Sequence, residues 1–239
     1  MAKNFHVLEY SKAELGDYSD KVTRTWNVAL VLGDLEECKK AEEKLQEAIE
    51  IVNRKEHSYR LKGQYSLTPL SWAAGNGHYT KVKTLLSKDG IDPDLKDNQY
   101  GQTPLSRAAS NGHEAIVKLL LETGKANPDS KDKHSRTPLS RAAEHGHEAV
   151  VKLLLETGKA DLNWRDGGGQ TPISRAAKNG HEAIVKLLLE TGMVDPDLKD
   201  KHSLPPLSWA AKHGHEAIVK LLEKSKSARL LTTSCDQQT

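Results

Sequence analysis

The chain has 239 residues, 36% of them hydrophobic and only one of them Phe, with 35 Lys plus Arg against 33 Asp plus Glu. The near-balance of charge excludes a general attraction to nucleic acid or to an anionic membrane, and the shortage of large aromatics argues for a thin, elongated body over a spherical core. Cys38 and Cys235 lie near opposite ends, with neither metal-ligand spacing nor a disulfide framework, so no metal or cofactor is expected and a reducing, cytoplasmic setting is.

The N-terminal stretch MAKNFHVLEYSK has no apolar run of the kind a signal peptide needs, and no segment approaches the ~18 apolar residues of a membrane span. Within residues 1–62, TWNVALVLGDLEECKKAEEKLQEAIEIVNRK is rich in helix formers and places Ala41, Leu45 and Ala48 on one helical face. That spacing, with Trp26 upstream, resembles a tetratricopeptide helix pair. The segment is expected to be a helical cap on the remainder of the chain.

Internal repetition begins after it. TPLS at 68–71 recurs at 103–106 and 137–140, as TPIS at 171–174 and as PPLS at 205–208. The prolines Pro69, Pro104, Pro138, Pro172 and Pro206 are spaced by 35, 34, 34 and 34, and residues 98–131 match 132–165 at 21 of 34 positions. Thr is a good N-cap and Pro suits the first helical position, so each motif opens a helix whose small alanines permit close approach of a neighbour. Gly112, Gly146, Gly180 and Gly214 end these first helices, where a left-handed residue is wanted. The second helices read HEAIVKLLLETG and end at Gly124, Gly158 and Gly192. Glu114 with Lys118, Glu148 with Lys152, Glu182 with Lys186 and Glu216 with Lys220 are expected to pair at i,i+4 on a solvated face. The Asp-, Pro- and Gly-rich stretches between helix pairs read as protruding turns or short hairpins. A unit of this size cannot bury its own apolar face, so stability must come from stacking on neighbours. Residues 227–239 carry little apolar content beyond Leu230 and Leu231 and read as a tail.

The pattern D-x-x-G-x-TPLSRAA-x-x-GHEAIVKLLLETG resembles the ankyrin repeat over roughly residues 63–226. The Ser after TPL, followed by Trp or Arg and two alanines, is similar to arrays attached to fungal NLR-type immune receptors. The resemblance implies an all-α solenoid of five helix-turn-helix repeats behind the helical N-terminal cap. Where the family usually has His, this chain has Ser71, Ser106, Ser140, Ser174 and Ser208, so the bond that His often makes to a neighbouring turn is not expected. The first turn also carries an extra residue, since Asp97 stands six before Thr103 and Asp132 five before Thr137.

Every repeat holds a Ser, a His and usually a Glu, the ingredients of a hydrolase triad. Five copies are better explained by structure, with His78, His113, His147, His181 and His215 each bridging backbone groups, and no enzyme activity is expected. Gly167, Gly168 and Gly169 lack the Lys-Ser/Thr of a phosphate loop and read as a turn tip. His134 with His145, and His202 with His213, are expected to lie near each other in repeats 3 and 5, as contact residues rather than a metal site.

In ankyrin arrays the turn tips and first helices form a concave groove where partners bind. Carried onto this chain, the tips are Gln99, Tyr100, Lys133, His134, Arg136, Lys201 and His202. The first helices supply the column Trp72, Arg107, Arg141, Arg175 and Trp209, with Ser110, Asn111, Glu144, His145, Lys178, Asn179, Lys212 and His213 near their ends. Guanidiniums flanked by indoles suit a protein partner bearing acidic and aromatic groups. The arginine stems could equally cover the alanine-rich helices with their heads in water. The expected function is protein–protein interaction by a monomer; the alternative is an atypical enzyme or small-ligand binder in the same groove.

Overall fold

The computed structural model describes residues 67–235. The chain divides into two units between Ser66 and Leu67. The cap and tetratricopeptide expectations for residues 1–62 therefore lie outside the described residues, as does order or disorder in 236–239.

The described helices come in pairs: α1 (Pro69–Gly75) with α2 (Tyr79–Leu86), α3 (Pro104–Ser110) with α4 (Glu114–Glu122), α5 (Pro138–His145) with α6 (Glu148–Glu156), α7 (Pro172–Lys178) with α8 (Glu182–Glu190), and α9 (Pro206–Lys212) with α10 (Glu216–Cys235). No strand occurs among the described residues. Thr68, Thr103, Thr137 and Thr171 hold extended backbone, and each Oγ1 accepts the N–H three residues on at 3.0–3.3 Å. Each such cap stabilises its helix by about 1 kcal/mol. Pro205 stands in the fifth copy and supplies none.

The first helices form one layer and the second helices another. Ala73, Ala74, Ala108, Ala109, Ala142, Ala143, Ala176 and Ala177 are all fully buried, so the first helices approach closely. Ile116, Val117, Leu120 and their equivalents fill the space between the two layers. The first helices approach one another more closely than the second helices do.

Histidine rings tie each repeat to the one before. Nε2 of His113, His147, His181 and His215 donates to the carbonyls of Gly75, Ser110, Glu144 and Lys178 at 3.0, 3.0, 3.0 and 3.2 Å. The bridging expected for these histidines is present, and it runs between repeats. The ring lies on a glycine of that previous repeat: a Cβ on Gly112 would stand 2.5 Å from His147, and Gly112 also has φ +73°. Only glycine fits both constraints. The serine in the family's usual His position stays local, with Ser140 Oγ on Thr137 Oγ1 at 3.1 Å.

Two further ladders run along the stack. At the turn tips Lys133 N–H donates to the Tyr100 carbonyl at 2.8 Å, Gly167 to His134 at 2.8 Å and Lys201 to Gly168 at 3.1 Å. At the turn bases, side-chain oxygens of Asp94, Asp129 and Asn163 accept the N–H of Asn127, Asp161 and Asp195 in the next repeat. Arg229 closes that row on Asp197 at 3.0 Å. Arg229 can do so because α10 runs unbroken to Cys235, so the boundary expected at 226 lies inside a helix. Of the four expected Glu–Lys pairs, Glu148–Lys152 forms, whereas Lys186 turns to Glu190 at 3.9 Å.

Candidate functional site

Each turn is organised by one buried aspartate. Asp97, Asp132, Asp166 and Asp200 are 3–7% exposed. Asp132 Oδ1 accepts the N–H of His134 and Arg136 at 2.8 and 2.9 Å, and Asp166 Oδ1 that of Gly168 and Gln170 at 2.8 and 3.0 Å. The second oxygen faces the first helix. There Arg107 Nε reaches Asp97 at 3.0 Å, Arg141 reaches Asp132 through Nε at 3.0 Å and Nη2 at 2.6 Å, and Arg175 Nε reaches Asp166 at 2.9 Å. Trp209 completes the series, with Nε1 on Asp200 Oδ2 at 2.8 Å. Arg107, Arg141, Arg175 and Trp209 are interchangeable in this column because each carries an N–H donor at the required reach. The guanidiniums neither point freely into a groove nor merely cover alanines: they neutralise buried carboxylates. Burial raises the Asp132 pKa, but the Arg136 N–H and the Arg141 guanidinium more than offset it and hold the carboxyl below its usual 3.8.

The column is braced from the side. Glu144 accepts from Arg175 Nη1 at 2.6 Å and from Arg136 Nη1 at 3.4 Å, while Arg136 Nε also meets Asp132 at 3.1 Å. With its oxygen turned to Arg141, the Gln102 amide accepts from Nη2 at 3.0 Å. Lys178 and Lys212 lie over the Trp209 ring at 4.4 and 5.2 Å. Trp72 is 9% exposed and packs on His78 at 4.7 Å. Trp72, Arg107, Arg136, Arg141, Arg175, Lys178 and Trp209 thus all belong to the frame.

The remaining expected contact residues form the accessible surface. Tyr100 is 43% exposed at its tip, Gln99 is half-buried beside it, and Lys133 is exposed with Nζ on the Asn98 and Gln99 carbonyls. His134, His145, His202 and His213 are exposed. Nδ1 of His145 and His213 donates to the Arg141 and Trp209 carbonyls, 2.9 Å in each case, which fixes the proton of the neutral ring on Nδ1. The His145 and His213 rings stack on those of His147 and His215 at 6.2 Å, and His213 also lies 5.6 Å from the Trp209 ring. An open cleft of about 320 Å³ lies between two tips, lined by Lys133, His134, Arg136, Gly167, Gly168 and Arg175. Gly167 and Gly168 spend their N–H groups on the His134 carbonyl and Asp166, so this tip is no phosphate cradle. Sequence reasoning used Asp97 and Asp132 only to mark spacing and gave none of the four aspartates a role, although an Asp five or six residues before the TP or PP motif of repeats 2–5 was the signal.

Among the described residues no helix is long and apolar enough to cross a membrane, and no group of three or more acidic, His or Cys side chains could hold a metal ion. Comparison with curated proteins gives no match. The family model for ankyrin repeats (3 copies) matches residues 70–166 and 158–233, most of the chain. With its paired helices, projecting turns and stacked repeats, this chain belongs to the ankyrin-repeat family.

Proposed function

We propose that the chain binds a protein partner through the surface made by its turn tips and first-helix ends, as a non-catalytic interaction module. Ankyrin repeats are in general protein–protein interaction modules. The observation that carries the finer reading is a division of labour on this face. Apart from Arg107, whose Nη2 has no acceptor, the guanidiniums of the frame are engaged within it, while exposed side chains that differ between repeats are left over for a partner. In repeats 3–5 the exposed ones include His134, His145, Lys201, His202 and His213, while the carboxylate of Glu144 is already engaged by Arg136 and Arg175. At the repeat 2 end they are Tyr100 and Asn111, which carry no charge. The partner so described is acidic along one stretch and aromatic or apolar at the other, and Coulomb attraction speeds its encounter. The sequence likeness to receptor-attached arrays fits a recognition role in the cytoplasm.

Capture from native cell extract tests this. A variant with Tyr100→Ser, His134→Glu, Lys201→Glu and His202→Glu is compared with Lys118→Glu, Lys152→Glu and Lys186→Glu on the outer helices. Loss of capture by the first alone, with wild-type capture weakening as salt rises, supports the proposal; equal capture by both overturns it. The small-ligand alternative is disfavoured by the open, polar cleft, since small-molecule sites are mostly enclosed and apolar.

A further inference from the structure

The column repeats one geometry with a different lateral neighbour in each copy. That neighbour comes from the sixth residue after the TP proline of the preceding repeat: Gly75, Ser110, Glu144 and Lys178. Glu144 supplies a second carboxylate to Arg175, and Lys178 a cation to the Trp209 ring. Gly75 supplies no side chain to Arg107. A Cβ built there would meet Arg107 Cβ and Cδ at 3.5 and 3.6 Å, ordinary contact distances, so a side chain at 75 would stand against this arginine.

Arg107 is also the least satisfied of the three guanidiniums. Asp97 spends Oδ1 on the N–H groups of Tyr100 and Gly101 and part of Oδ2 on that of Gln102, because the turn is one residue longer. Only Nε of Arg107 reaches it: Nη2, the edge that meets the turn aspartate in Arg175, is buried without an acceptor, and Nη1, the edge that meets Glu144 in Arg175, has no carboxylate among the described residues. Arg175 shows what such a guanidinium takes in this fold: the turn aspartate on one edge and a lateral carboxylate on Nη1. We infer that Arg107 is a carboxylate-binding subsite, which a partner's Asp or Glu side chain fills in the place that Glu144 fills for Arg175. The inference rests on the partner-binding reading and assigns it one anchoring contact. Tyr100 is exposed at the tip of the same repeat.

The probe is a capped tripeptide, acetyl-Gly-Glu-Gly-amide, with its Gln counterpart as the neutral control. Each is added to the full chain at fixed ionic strength while arginine Nε–H resonances are followed by heteronuclear NMR. The Arg107 signal is identified by its loss in Arg107→Lys. The expected result is a saturable shift of Arg107 with the Glu peptide, several-fold larger than that of Arg175 and several-fold larger than with the Gln peptide. In Gly75→Glu the Arg107 signal should sit near its bound position without peptide and stop responding; Gly75→Gln, of the same size, should fold equally and keep the response. An Arg107 shift no larger than that of Arg175, or a response that survives in Gly75→Glu, overturns the subsite. The tip side chains are untouched here, so that failure leaves the capture experiment to decide the wider reading. Loss of the wider reading with the Arg107 response intact is equally recognisable.

Discussion

Replacing Arg175 by Ala separates a frame role from a surface role. The Asp166 side chain is fully buried and Arg175 is 17% exposed. Asp166 Oδ1 keeps its two backbone N–H donors in the variant, but Oδ2 loses both Nε and Nη2. Breaking a buried pair from one side leaves an uncompensated charge and costs about 3–5 kcal/mol. Losing two hydrogen bonds to a charged group, at about 1.5–3 kcal/mol each, gives a similar figure. Glu144 also loses a partner, but it retains Arg136 and is 20% exposed, so it adds little. Against a typical stability of about 5–15 kcal/mol the effect is large. Equilibrium urea unfolding followed by far-UV circular dichroism reads it. Adding Asp166→Asn should recover part of the loss, because the isolated charge disappears. Lys186→Ala, at a pair 65% and 60% exposed, should stay within about 0.5 kcal/mol of wild type. A loss below about 1 kcal/mol in Arg175→Ala, or no recovery in the double variant, would refute the clamp.

Ser135 and Ser203 sit at φ +58° and +61°, where Gly101 and Gly169 stand in the other turns. Replacing each serine by Gly should stabilise by about 0.5–1 kcal/mol, since left-handed backbone costs an L-residue about 1–2 kcal/mol, and denaturant midpoints will show it. Gly112→Ala should destabilise considerably more than Gly214→Ala, because both have positive φ but only Gly112 lies against a histidine ring; equal losses would mean that ring packing contributes nothing. Burial lowers the His147 pKa below 6.5, an effect the Ser110 carbonyl opposes and His145 reinforces. The unfolded chain therefore takes the proton first, and the His147 contribution is full above about pH 6.5 and is lost as pH falls below it. His147→Gln should flatten the acid-side loss of stability, measured as urea midpoints on either side of that pH.

The solenoid was legible because the repeat period, the TP caps and the closing glycines are each local signals that agree with one another. The frame around the column was not, although every member was visible. An arginine after LS reads alone as a surface cation, and only the fold brings it back onto an aspartate nine or ten residues earlier. The histidines show the same limit. Their period announced a structural role, but a bond from His181 to Glu144, spanning 37 residues, requires the stacking to be known. The extent of α10 escaped because the stretch after 226 lacks the apolar periodicity of the repeats, while Arg229 ties it to Asp195 and Asp197 across the turn bases. Tyr100, His134 and His202 were found as exposed tips because position in the repeat determines exposure.

Site-specific photo-crosslinking in native extract tests most directly which face a partner occupies. A photoreactive residue is placed in turn at Tyr100, His134 and His202, and at Lys118 and Lys186 on the second helices, each exposed. The account predicts discrete adducts with the same protein from the three tip positions and none from the two outer ones. Adducts from Lys118 or Lys186 with none from the tips would contradict it.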